Sequence, residues 1–266
     1  MGLTWRNYLP LKKNKSRQEM RMCIVEGTRL CQEALTSGWE IEAAFATEAF
    51  VQSDRWTNFE DTFRYQKIEW RTLSDGNFNK LADTDTPQGI LMVMRIPETH
   101  FRRPNWQRSK FVLALEGIRD PGNMGTLIRS ADWYGVDTIL LSPDCVDAYN
   151  PKVLRGSMGS IFRLRVFTTE NFTETLSEMK TDNFWLVAGS LSAKKILQDT
   201  HFRKPVALIL GNEAHGISME TQRIADLTVK IWKFGQAESL NVGTAGSVFL
   251  HHIAGEIFER KTGRQG

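Results

Sequence analysis

Polar and glycine residues gather at three places in the second half of this chain, each where an apolar run gives way to a helical pattern. FVLALEGI leads into RDPGNMGTLIRSAD, with Asn123 and Arg129 six residues apart. PVALIL leads into GNEAHGIS, with Gly211 and Glu213. VKIWKF leads into GQAESLNVGTAG, with Ser239 and Asn241. Amides, a guanidinium, a carboxylate and a hydroxyl together can orient a hydroxyl nucleophile, clamp a phosphate and manage a proton. Each also has a structural reading. Asn123 follows Pro121-Gly122 as a turn former, Ser239 and Asn241 are ordinary N-caps, Glu213 complements a helix dipole, and Arg129 is suited to a surface ion pair.

Several other chemistries are excluded. DPGNMG lacks the GxGxxG spacing, and GxxxxGK[ST] occurs nowhere in the chain, which argues against dehydrogenases and P-loop enzymes. Ser192 and Ser239 lie outside any GxSxG elbow. His251 and His252 are adjacent in a helical pattern, so they point about 100° apart and cannot share a metal ion as an i, i+4 pair does; no metal is expected.

The elements that must position these residues alternate. From Phe111 onward, FVLALE, VDTILLS, RLRVF, FWLVAGS and PVALILG are short apolar runs, with helical segments between most of them. Such near-continuous runs indicate a parallel sheet covered on both faces, and open sheets of this kind bind ligands at the carboxyl ends of their strands. The first part alternates more irregularly, with strands at IEAAFAT, QKIEWRTL and GILMVMRI and a helix ending at Gly38. PETHFRRPNWQRS, with two prolines, reads as a linker. The expected division is residues 1–97, a linker over 98–109, and a second domain over 110–266.

The chain has 266 residues, 41% of them hydrophobic, and a net charge of +3. No apolar run nears the roughly 20 residues of a membrane span, and the N-terminus has no apolar segment of a secretory signal. Three cysteines without CxxC pairing fit a reducing, cytoplasmic setting. Up to Leu30 there are seven basic residues against two acidic, a surplus larger than that of the whole chain. Lys12, Lys13, Lys15 and Arg17 are the candidate phosphate contacts, with a solvated charged face as the alternative.

In order and spacing, EGIRDPGNMGTLIRSADWYG, LILGNEAHGIS and IWKFGQAESLNVGTAGSVFLH resemble the three signature motifs of the SpoU (TrmH-like) RNA ribose methyltransferases. The likeness covers roughly Phe111 to Phe258. VEGTRLCQEALTSG and LADTDTPQGIL are similar to that family's substrate-binding module. The resemblance implies a small α/β, L30e-like substrate-binding domain followed by a parallel-sheet SPOUT domain with a deep trefoil knot. It implies S-adenosylmethionine as cofactor, RNA as substrate (ribosomal RNA rather than tRNA), and a homodimer through the catalytic domain. Arg129 would act as general base or as electrostatic clamp; a guanidinium resists deprotonation. Asn123 and Glu213 would orient it or the ribose, and Ser239 and Asn241 would meet RNA or position the catalytic groups. Gly211, Ile231 and Leu240, with Gly189, would line the cofactor pocket. The apolar face of the last helix (Ala245, Val248, Phe249, Ile253, Ile257) would pack on the partner subunit. The rival readings are a tRNA methyltransferase and a non-catalytic RNA-binding assembly factor.

Overall fold

Two sheets form, one in each of two units. The computed structural model describes residues 4–212 and 215–258. In chain order the first elements are α1 (Asn14–Met20), β1 (Met22–Glu26), α2 (Thr28–Leu35), β2 (Ile41–Thr47), α3 (Glu48–Val51), α4 (Thr57–Gln66), β3 (Trp70–Leu73), α5 (Asp75–Leu81) and β4 (Ile90–Arg95). There follow β5 (Phe111–Glu116), α6 (Pro121–Trp133), β6 (Thr138–Leu141), α7 (Pro151–Ser157), β7 (Arg165–Thr168), α8 (Phe172–Thr181), β8 (Trp185–Gly189) and β9 (Lys195–Ile196). The chain closes with β10 (Val206–Gly211), α9 (Met219–Ile224), β11 (Leu227–Lys230) and α10 (Val242–Ile257).

The first unit comprises Met1–Glu98 and Asp147–Arg163. Its sheet runs β1-β4-β2-β3. β4 lies antiparallel to β1 and β2, and β2 pairs parallel with β3. The run ILMVM of β4 is fully buried, as suits a strand covered on both faces. Trp5, Tyr8, Phe45, Phe78, Leu91 and Val93 share one core beneath it.

The expected domain limits differ from these units in two respects. Residues 99–109, read as a linker, belong to the second unit, where Trp106 is buried in its core. Residues 147–163 fall within the span read as the second domain, yet they group with the first unit, where α7 packs on β1. The cause is a set of charges and rings. Arg17 Nε donates to Asp147 Oδ2 at 2.6 Å, with both side chains buried. Arg155 pairs with Asp83, and Arg163 with Glu33, each at 2.8 Å. Trp39 meets Phe162 edge-on at 5.1 Å and Tyr149 at 6.3 Å.

The second unit, Thr99–Val146 with Leu164–Gly266, holds a sheet of order β7-β6-β5-β10-β8-β11-β9. All its pairings are parallel. β10 sits between β5 and β8 although β8 and β9 precede it in the chain. α6 and α10 pack against each other so closely that a Cβ at Gly246 would fall 2.3 Å from Leu127 Cδ2. Ser130 and Ser247 share a 2.7 Å hydrogen bond between the same two helices.

Candidate active site

The carboxyl ends of β5, β10 and β11 lead into the three motif segments. After β5, Gly117 adopts φ +66, a left-handed conformation suited to glycine. Its N–H donates to Ser142 Oγ at 2.9 Å, and Ser142 Oγ in turn donates to Asp144 Oδ1 at 2.6 Å. Asp120 then caps α6, accepting from the Asn123 N–H at 2.8 Å, with Pro121 at the first helical position. That Pro supplies no N–H where a helix start leaves one unpaired.

Asn241 caps α10, and its Oδ1 accepts from the N–H groups of Gly243 and Thr244 at 2.9 and 3.3 Å. Its Nδ2 donates to Asn123 Oδ1 at 2.8 Å. One side chain therefore closes one helix and fastens it to the first turn of another, so the N-termini of α6 and α10 lie side by side. Two such termini present unpaired N–H groups and add their positive dipole ends, which favours an anionic group nearby.

Gly211 ends β10, and a Cβ there would lie 2.2 Å from the backbone of Gly216. The segment after Gly211 doubles back: Gly216 N–H donates to Asn212 O at 2.8 Å, and Asn212 Nδ2 donates to Gly117 O at 2.9 Å. The return of this loop therefore requires the glycine by itself. At Gly189 a Cβ would meet Leu210 and Phe249 within 2.9 Å, so that glycine admits α10 against the sheet. Ile231 is half-buried and Leu240 is 47% exposed. No backbone–backbone hydrogen bond joins residues 231–240 to another described residue; the Trp232 backbone N–H goes instead to Gln198 Oε1 at 3.4 Å, and the backbone at Ile231 and Leu240 is open to a ligand.

Asn123 and Asn241 are thus brought together. Ser239 is exposed two residues before the cap, and Arg129 is exposed on α6. Six helical residues place Arg129 about 9 Å along the axis from Asn123, with no hydrogen bond or ion pair to another described residue. Glu213 lies outside the described residues. Phe249, Ile253 and Ile257 are buried and Ala245 and Val248 half-buried within the second unit itself, so most of the face expected to meet a partner is already covered. His251 packs on Tyr134 and His252 on Phe202, two different neighbours.

Residues 110–251 match the family model described as the SpoU rRNA Methylase family. The chain belongs to that family. Residues 6–92 match a second model, the MRM3-like substrate binding domain. This SpoU methyltransferase is 31% identical to the 23S rRNA (guanosine(2553)-2'-O)-methyltransferase RlmP of Bacillus subtilis, over 94% of this chain and 95% of that one. Among solved structures, an RNA 2'-O ribose methyltransferase matches with a TM-score of 0.77 at 29% identity, covering 93% of each chain. The AviRb methyltransferase of Streptomyces viridochromogenes, solved with AdoMet, matches in fold with a TM-score of 0.83 at 23% identity, covering 96% and 97%.

The basic segment behaves unevenly. Lys12, Lys13 and Lys15 are exposed; Lys12 Nζ donates to Ala82 O at 2.7 Å and Lys15 pairs with Glu19 at 3.8 Å. Arg17 is 3% exposed, held by Asp147 and by Leu11 O at 2.8 Å. It is a structural ion-pair partner and not a surface phosphate contact as expected. Two arginines that sequence reasoning passed over, Arg29 and Arg55, line an open cleft of about 670 Å³ with Thr28, Gln32 and Gln88. Only Arg29 carried a sequence signal, as one of the basic residues of the first thirty.

Proposed function

We propose that this SpoU-family enzyme methylates a ribose 2′-OH in ribosomal RNA at the seam where α6 and α10 begin. The observation that carries the reading is the 2.8 Å hydrogen bond from Asn241 to Asn123, which unites the first and third motif segments at the carboxyl ends of a parallel sheet. S-adenosylmethionine supplies an activated methyl that needs no metal. The open backbone at Ile231 and Leu240 and the glycine-bearing end of β10 fit that cofactor, with Gly211 beside them and Gly189 behind.

The reaction forms a bond from ribose O2′ to the methyl carbon as the sulfonium–methyl bond breaks, leaving a neutral thioether, and the hydroxyl proton passes to water. Asn123 and Asn241 orient the ribose. Ser239, on the open loop, contacts the RNA. Arg129 is long enough to reach a phosphate or the 2′-oxygen, and its planar fork suits an electrostatic clamp better than a base. Glu213 belongs to this set by its motif position.

The first unit reads the substrate. Lys13, Lys15 and the Arg29/Arg55 cleft supply its phosphate contacts, and the substrate-binding match over 6–92 supports ribosomal RNA over tRNA. The strand order, with β10 inserted between β5 and β8, supports the knotted topology. Trp133, 83% exposed at the end of α6, supports pairing of two catalytic units in a homodimer. No described helix is long and apolar enough to cross a membrane, consistent with action in the cytoplasm.

Calorimetry with S-adenosylmethionine, followed by mapping of 2′-O-methyl positions in ribosomal RNA from cells with and without the gene, tests the reading. Binding together with loss of one position in the deletion is expected. A protein that binds RNA but neither cofactor nor any methylatable site is an assembly factor, and the proposal falls.

A further inference from the structure

The loop between β11 and α10 carries two aromatic side chains that the roles above leave unused. Trp232 and Phe234 are 49% and 88% exposed. Their rings lie parallel, 12° apart in plane, with centroids 5.4 Å apart. The Trp232 backbone N–H donates to Gln198 Oε1 at 3.4 Å, which anchors the chain beneath the pair. In sequence Lys230 precedes the rings and Lys233 lies between them, and the rest of the loop is polar, with Gly235, Gln236, Glu238 and Ser239.

Water-exposed aromatic faces cost free energy unless something covers them. A second protein subunit is a poor fit. Two rings offer at most a few hundred Å², against roughly 800 Å² per partner in a stable interface, and in sequence a lysine stands on either side of Trp232. Flat faces alternating with lysines are what a single-stranded nucleic acid requires: bases stack on rings while ammonium groups meet phosphates. Phe234 precedes Ser239 by five residues and Asn241 by seven, so at most about 23 Å of extended chain separates it from the catalytic seam.

We propose that Trp232 and Phe234 form a stacking platform for an unpaired nucleobase of the RNA near the target ribose, making them specificity-determining residues. The proposal rests on the reading of this chain as an RNA methyltransferase. It explains why the two rings are exposed: the platform is completed by a base of the substrate.

The test compares the wild-type protein with the Trp232→Ala/Phe234→Ala variant and with Trp232→Phe/Phe234→Tyr. Binding is read by fluorescence anisotropy on a short oligoadenylate and on an abasic ribose-phosphate strand of equal length. Cofactor binding by calorimetry and native mass by sedimentation are measured on the same samples. The alanine pair should weaken oligoadenylate binding about tenfold and leave abasic-strand binding, cofactor affinity and mass unchanged. The aromatic swap should keep near-wild-type affinity. Equal loss on both strands, unchanged oligoadenylate binding, a fall in cofactor affinity or a change in mass each overturns the platform. Wild-type protein that binds neither cofactor nor RNA defeats the underlying reading instead.

Discussion

Arg17 and Arg129 are both helical arginines in strongly polar sequence, and their surroundings are opposite. Arg17, in α1 of the first unit, is 3% exposed and locked to Asp147 and a backbone carbonyl. Arg129, in α6 of the second, faces solvent on the helix that carries Asn123. A buried guanidinium with its bonds directed inward holds a fold; an exposed one about two turns along the helix from Asn123 can meet an incoming anion. The contrast extends to the sheets. The mixed sheet of the first unit has no end where strand termini converge. The parallel sheet of the second gathers every motif at its carboxyl edge.

The largest expected effect is on the first arginine. Asp147→Ala leaves Arg17 buried and unpaired, and should cost about 3–5 kcal/mol of stability in denaturant unfolding. Replacing both, Arg17→Met with Asp147→Leu, should recover most of that loss and leave the salt dependence of RNA binding unchanged. A flatter salt slope in the double variant would mean that Arg17 does contact phosphate.

A smaller effect lies in the second unit. Burial, reinforced by the Arg165 charge, pushes His100 down to about 4 from the usual 6.5. Its unfolded form binds the proton first, so the stability it contributes is complete above about pH 6.5 and lost as pH falls toward 4. Between pH 7 and pH 5 this should remove roughly 2 kcal/mol, and His100→Asn should abolish that part of the decline. Parallel melting curves for wild type and variant would refute the assignment.

The smallest effect belongs to the exposed lysines. Lys13→Gln with Lys15→Gln should weaken RNA binding a few-fold and reduce the salt slope by about two. An unchanged slope would remove both lysines from the interface and leave the Arg29/Arg55 cleft as the reader.

The strands of the second unit were legible because buried parallel strands are written as unbroken apolar runs; FVLALE and VALILG fall within a residue of β5 and β10. The two-residue β9 is too short to leave a pattern. Asn241 does more than cap: its Oδ1 closes α10 while its Nδ2 reaches Asn123, 118 residues away. Long-range pairing also hid the placement of 147–163, since Arg17 and Asp147 are 130 residues apart. At Gly211 and Gly189 a sequence shows only the missing side chain, and the neighbours filling that space, Gly216 and Phe249, come from other turns of the fold.

The claim that the seam between α6 and α10 is the catalytic centre is tested most directly by single-turnover methyl transfer with Arg129→Ala, with S-adenosylmethionine affinity measured on the same sample. Because Arg129 is exposed and bonded to no described residue, the fold should survive its removal. Transfer to ribosomal RNA should fall by at least about a hundredfold, with cofactor affinity within about twofold of wild type, and Arg129→Lys should fail similarly. Near-wild-type transfer by Arg129→Ala would contradict the account.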